Sequence, residues 1–342
     1  MRARIVMAVI TIAALLSAPF SFAADDKIGV FEALHASSVS FDETTAALDT
    51  ALADSGFTLH ATHDVRIPDD MQRARVYVLT SPAYGDAAGE EAANTVSAQI
   101  LRIAVYTSGD EQKTYINMAN PVAQAMVFYA KSPNYDALVS AARGVADEIH
   151  KLVAAIPGET QSQQLEPTRA EKHYNKFKGD GPARMMAKFR TFQKSQLLID
   201  EDSAENFAAV VERVQKALAD STVADTDESV GWETLTTIEL RDDAVYIGVT
   251  NPYIEDKMVR INSRFRKDGK SEKSPYPGVD HVTALPTDIL IYKDGNETRV
   301  VHYGQMWRMQ LYFWDSGYRA FTANVGVPST IANSIKDTIA GR

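Results

Sequence analysis

Chemistry-bearing residues are densest between Val300 and Phe321. The stretch gathers His302, Tyr303, Met306, Trp307, Met309, Tyr312 and Trp314, with Phe313, Tyr318 and Phe321 beside them. Rings and thioethers at that density suit a concave apolar wall that holds a small organic ligand through a few polar groups. An imidazole near methionine sulfurs also suits haem iron or a soft metal such as copper. Ordinary packing competes with both, because aromatic stripes more often fill cores and contacts between domains. A paler set in the first half, Tyr115, Asn117 and Asn120 with Met118 and Met126, stands in the corresponding region. No cofactor is named by these residues.

His60 and His63, followed by Asp64, are the other metal candidates. Apolar residues alternate before them at Phe57, Leu59 and Ala61, which predicts a strand. A spacing of three then turns the two imidazoles to opposite faces, so unrelated surface histidines are the stronger reading. Standard catalytic signatures are absent. There is no Gly-x-Ser-x-Gly and no His-Glu-x-x-His, and Arg264 occupies the place of the first glycine of a phosphate loop ending at Gly269, Lys270 and Ser271. The chain has no cysteine. That removes thiol nucleophiles, iron–sulfur ligation, covalent haem attachment and cysteine zinc sites together.

The 342 residues carry 45 acids against 35 lysines and arginines, a net charge of −10, which argues against nucleic acid as a partner. Two basic stretches interrupt that background, Arg169 to Lys194 and Arg260 to Lys273. Each is a solvated segment or a contact for an anionic surface or an envelope protein. At the N-terminus, Arg2 and Arg4 precede an uncharged apolar run from Ile5 to Leu16, then Pro19 and the small-x-small triplet Ser21, Phe22, Ala23. This is the layout of a secretory signal cleaved near Ala23. The expectation is an exported, periplasmic chain with no membrane-spanning segment after cleavage.

The elements that must position these residues come twice. Ala51 to Ser55 (Ala-Leu-Ala-Asp-Ser) recurs letter for letter as Ala217 to Ser221, each time at the end of a helical pattern. Val78 to Pro82 matches Gly248 to Pro252, and Val105, Tyr106 and Gly109 match Ile291, Tyr292 and Gly295. Three matches in the same order indicate a duplication, with 16 extra residues in the second copy. Each copy reads as a strand, a helix, two strands, hairpin strands, a short element and a closing helix. The closing helices carry stripes at Leu138, Val145, Ile149 and Leu152 and at Ile331, Ile335 and Ile339. The expected class is α/β of the α+β type: two two-layer sandwiches, each a mainly antiparallel sheet with helices on one face. The expected boundaries are 1–23 for the signal, 25–156 for the first domain, 157–182 for a linker and 183–342 for the second domain, with an insertion near 257–283.

These matches also carry a resemblance. Both copies resemble domain of unknown function 302, through Ser40 to Gly56, Thr80 to Pro82, Tyr115 with Asn120 and Pro121, and in the second copy Thr250 to Pro252 with Leu285 and Pro286. The second copy departs from the pattern, since Trp307 stands where the first has Pro121 and the insertion is foreign to it. The resemblance implies architecture and no activity. It also implies that the two copies pair within the chain, as separate chains of such a family pair. The function expected is a non-catalytic binding or accessory protein for an unknown small molecule. The alternatives are a redox or haem/metal-binding protein using His302 with nearby Met and Tyr, and an interaction protein of an envelope complex.

Overall fold

The computed structural model describes residues 27–67, 72–108, 113–181, 196–202, 206–225, 228–265 and 277–341, side chains at 196–202, 261–265 and 277 excepted. The expected signal, residues 1–23, lies outside them, as does most of the second basic stretch. Strand β1 (Ile28–Ser37) runs into Ser40, whose hydroxyl accepts from the amide of Glu43 while Glu43 caps Ser40 in return. This capping box starts helix α1 (Phe41–Ala53), which buries Leu48 and Leu52. Strands β2 (Thr58–Asp64) and β3 (Ala74–Thr80) follow, then helix α2 (Pro82–Ala87) and a 3-10 segment at Ala93–Gln99. Strands β4 (Leu101–Ser108) and β5 (Lys113–Ala119) form the hairpin, and helices α3 (Pro121–Phe128) and α4 (Tyr135–Val153) close the unit. In α4, Leu138, Ala142, Val145 and Ile149 are buried on one stripe.

The second half repeats this order. Its elements are β7 (Gln196–Asp202), α6 (Phe207–Ala219), β8 (Glu233–Arg241), β9 (Ala244–Thr250), α7 (Pro252–Phe265), a 3-10 segment at Pro277–Ala284, β10 (Thr287–Asp294), β11 (Glu297–Tyr303), α8 (Gln305–Phe313), α9 (Gly317–Ala323) and α10 (Val327–Ile339). The strand orders agree too: β2-β3-β4-β5-β1 in one sheet and β8-β9-β10-β11-β7 in the other. Every strand pairing is antiparallel. The mixed α/β class expected from the sequence is what the chain forms.

Two sequence readings differ from the structure. The stretch 157–182 is no open linker. Gly158–Arg169 is strand β6, the sixth of the first sheet, paired with β1 from Ile28 to Ser37. Its polar residues misled because an edge strand with one solvated flank needs little apolar alternation. Helix α5 (Glu171–Tyr174) follows it, and the Tyr174 hydroxyl donates to the carbonyl of Ile28. The second difference concerns Trp307. Ser108 pairs with Lys113 across the first hairpin and Asp294 with Glu297 across the second, so the second turn is two residues shorter. Strand register therefore places Gln305, not Trp307, opposite the role of Pro121.

The two sheets meet through their strands and through the 3-10 segments. Val96 of the first segment packs on Ala244, Leu290, Tyr292 and Val301 of the second sheet. Asn117 on β5 donates its amide to the carbonyl of Asp280 in the second segment. Arg102 and Asp288, each the second residue of the equivalent strands β4 and β10, form a buried ion pair at 2.5 Å. Residues at the C-terminal ends of β2 and β8 also reach across. The Arg66 amide and guanidinium bind the Glu255 carboxylate at 2.6 and 2.9 Å, and Arg241 donates to the carbonyls of Gly89 and Glu91.

Candidate functional site

A cleft of about 530 Å³ opens beside the β1–β6 pair of the first half. Helix α4 supplies Arg143, Asp147 and His150 from one flank of its amphipathic surface, next to the buried stripe. Strand β1 contributes Glu32, β6 contributes Ser162 and Gln164, and Asn120 stands at its inner end. Lys27 lies at the rim. These positions are fixed by hydrogen bonds. The Gln164 carbonyl oxygen accepts from the Gly29 amide at 2.8 Å and from the Asn120 side-chain amide at 3.0 Å. Asn120 also caps α3, its Oδ1 accepting from the Val122 amide at 3.0 Å, with Pro121 at the first helical position. Glu32, 6% exposed, receives His150 Nε2 at 3.0 Å. That hydrogen bond, with the carboxylate's charge, raises the His150 pKa against the opposing effect of burial. The cleft thus presents cations and carboxylates side by side, with amides between them.

Of the residues singled out from sequence, Asn120 lines this cleft. Asn117 and Tyr115 lie elsewhere on β5: Asn117 is fully buried against the second half, and Tyr115 stacks on Tyr106 at 5.7 Å. The His302 to Trp314 group does not surround one cavity. Trp307 is 1% exposed and packs edge-on to Phe128 and Phe177, with Tyr303 tilted against it at 6.3 Å. Tyr303 donates its hydroxyl to Ser97 and Tyr312 donates to Gln124, both in the first half. Much of the aromatic surplus therefore faces the other half of the chain. Trp314 and Met306 are half-buried, Trp314 against Phe321 at 6.0 Å and Met306 beside Met309 and Ala320. Met309 and the neighbouring Phe313 line a second, smaller cavity, in the second half.

His302 is 3% exposed, with Nδ1 3.1 Å from the carbonyl of Tyr303. Burial drives its pKa down to about 4, and the nearby positive charge of Arg308 pushes the same way. It is a neutral ring at pH 7, enclosed by packing, and it lines neither cavity. His60 and His63 do lie on strand β2, but they take different partners: His60 meets the Thr80 hydroxyl at 2.8 Å and His63 meets Glu255 at 2.8 Å. Among the described residues no three His, Asp or Glu are grouped to hold a metal ion.

One buried titratable cluster was not foreseen. His281 is fully buried between Asp280, 2.7 Å from Nδ1, and Asp315, 3.4 Å from Nε2. Phe31 meets its ring edge-on at 4.6 Å and Phe313 stacks on it at 5.7 Å. Burial disfavours its charge, but the carboxylates of Asp315 and Asp280 outweigh this and hold its pKa up at about 9.

Residues 34–156 match the family model "Domain of unknown function DUF302". The chain thus carries one domain of that family, which contains α4, Asn120 and the hairpin but not β6. Among solved structures, an uncharacterised conserved DUF302 protein from Bacillus stearothermophilus is similar at 21% identity over 37% of this chain and 94% of its own, with a TM-score of 0.29. No curated protein matches the chain. No described helix is long and apolar enough to cross a membrane.

Proposed function

We propose that the protein is an exported, non-catalytic binding protein for a small polar molecule, held in the cleft between β1, β6 and α4. The observation that carries this reading is the cleft itself. Its 530 Å³ falls within the ~300–1,000 Å³ of small-molecule sites, and donors and acceptors converge on it from four elements. Lys27, Arg143 and His150 face an anionic group, while Glu32 and Asp147 face a cationic or hydroxyl group. Covalent catalysis needs a nucleophile held by a base. The hydroxyl of Ser162 has no hydrogen-bond partner among the described residues, which favours binding over turnover. Haem or copper at His302 is disfavoured by the packing around that ring.

The second half is proposed as a second copy of the same domain, paired with the first about an approximate two-fold axis. The shared strand order, the reciprocal 3-10 contacts and the meeting of Arg102 with Asp288 support this. Export is supported by the charged head, apolar run and small-x-small triplet of residues 2–23.

Native mass spectrometry of the protein isolated from its own cells tests the binding reading. A bound small molecule is expected in the wild type and is expected to be missing from Ser162→Trp, which places a ring in the cleft from an exposed position. Identical bare masses would overturn the reading. An N-terminus found at Met1 rather than near Ala24 would overturn export.

A further inference from the structure

The second half buries a positive charge that no carboxylate answers among the described residues, the Tyr312 ring lying 5.8 Å from it. Arg308 on α8 is 4% exposed. Its Nη2 donates to the carbonyls of Ala284 and Pro286, while Nε and Nη1 have no hydrogen-bond partner among the described residues. A guanidinium keeps its charge at any ordinary pH, and a buried charge without a counter-charge is expensive. Such a group calls for an anion.

Arg308 also forms part of the wall of the second cavity, which lies between α7, α8 and α10. The rest of that wall is mostly apolar: Ile254, Met258, Met309, Phe313 and Ile331. Lys257 also lines it, with a third of its side chain exposed and Nζ 3.9 Å from Asp256, and no Asp or Glu lines the space among the described residues. Two cations and no acid make the polar end of the cavity anion-selective. The free volume is about 50 Å³. At about 10–15 Å³ of such space per water, it holds some three to five waters, or a molecule of about four to seven heavy atoms. Methionine side chains adapt to the shape of whatever fills the remainder.

We propose that this cavity is a binding site for a short-chain aliphatic carboxylate. The carboxylate accepts a charge-assisted hydrogen bond from the unpartnered Nη1 of Arg308, Nη2 being held by the carbonyls of Ala284 and Pro286. The alkyl chain lies against Met258, Met309 and Phe313. The site is separate from the first-half cleft and takes a different class of ligand.

Titration calorimetry on the full mature chain tests it with butyrate and its neutral isostere butyramide. Butyrate is expected to bind one per chain, and butyramide about tenfold or more weakly, because the charge-assisted pair is lost. Met258→Trp fills the cavity with Arg308 intact and is expected to abolish butyrate binding. Arg308→Lys keeps the charge but loses the donor placed by the planar guanidinium and is expected to weaken butyrate about tenfold. Ser162→Trp is expected to leave butyrate binding unchanged, which separates this site from the cleft. Absence of butyrate binding to the wild type, equal binding of butyramide, or unchanged binding in Met258→Trp would each overturn the proposal. The wild-type comparison decides it even where a variant does not fold.

Discussion

His281 makes stability depend on pH on the alkaline side of neutrality, where most proteins show little change. Its pKa is 6.5 in the unfolded chain and about 9 in the folded one. The folded state therefore holds the proton more tightly, and protonation stabilises the fold. The contribution is complete below the unfolded value and is lost as pH rises toward 9. The gap between the two values corresponds to about 3 kcal/mol. Physically, the loss is that of an imidazolium between Asp280 and Asp315, leaving the two carboxylates with a neutral ring between them. Because Asp280 also receives Asn117 from the first half, the loosening should be felt where the halves meet. Urea unfolding followed by tryptophan fluorescence from pH 6 to pH 9 measures it. The wild type should lose about 3 kcal/mol over that interval, while His281→Gln should be less stable at pH 6 and nearly flat. The His281 ring proton, followed by NMR, should titrate well above 6.5. A ring that titrates at or below its unfolded value, or a variant with the wild-type pH slope, would refute the reasoning.

Two further substitutions probe the contact between the halves. Arg102→Met leaves Asp288 buried with the Tyr246 hydroxyl but no counter-charge and should cost about 3–5 kcal/mol in urea unfolding, whereas adding Asp288→Leu should recover much of that loss. No recovery in the double variant would show that the pair is not what makes the site sensitive. Trp307→Ala should cost about 3–5 kcal/mol, as expected for a core ring lodged among Phe128, Phe177 and Tyr303. A near-neutral effect there would place the ring at a cavity wall instead.

Local signals in the sequence were legible wherever the physics was local. Ser40 with Glu43 forms the capping box of α1, and Asn120 with Pro121 opens α3. The repeated Ala-Leu-Ala-Asp-Ser run does close both α1 and α6. The stripes Ile331, Ile335, Ile339 and Val210, Val214, Leu218 are buried as their spacing required. What stayed hidden depended on distant partners. The rings of Tyr303 and Tyr312 looked like surplus for a pocket because their acceptors, Ser97 and Gln124, lie about half the chain away. Glu32, Arg143 and His150 carried no motif; they converge only because α4 lies across β1. Gln164 was hidden in polar composition that reads as a connector until β1 supplies the strand beside it.

If the halves are two copies of one domain, as proposed, the meeting of Arg102 with Asp288 has an evolutionary consequence. The axis relating the copies would run between those two residues. An ancestor assembled from identical chains would there have set like against like, two arginines or two aspartates, each repelling its twin. Joining such copies in one reading frame would let the two positions acquire opposite signs. The halves are accordingly no longer interchangeable: a chain built from two first halves would bring two guanidinium groups together in the dry centre, while the natural pair accepts only its complement.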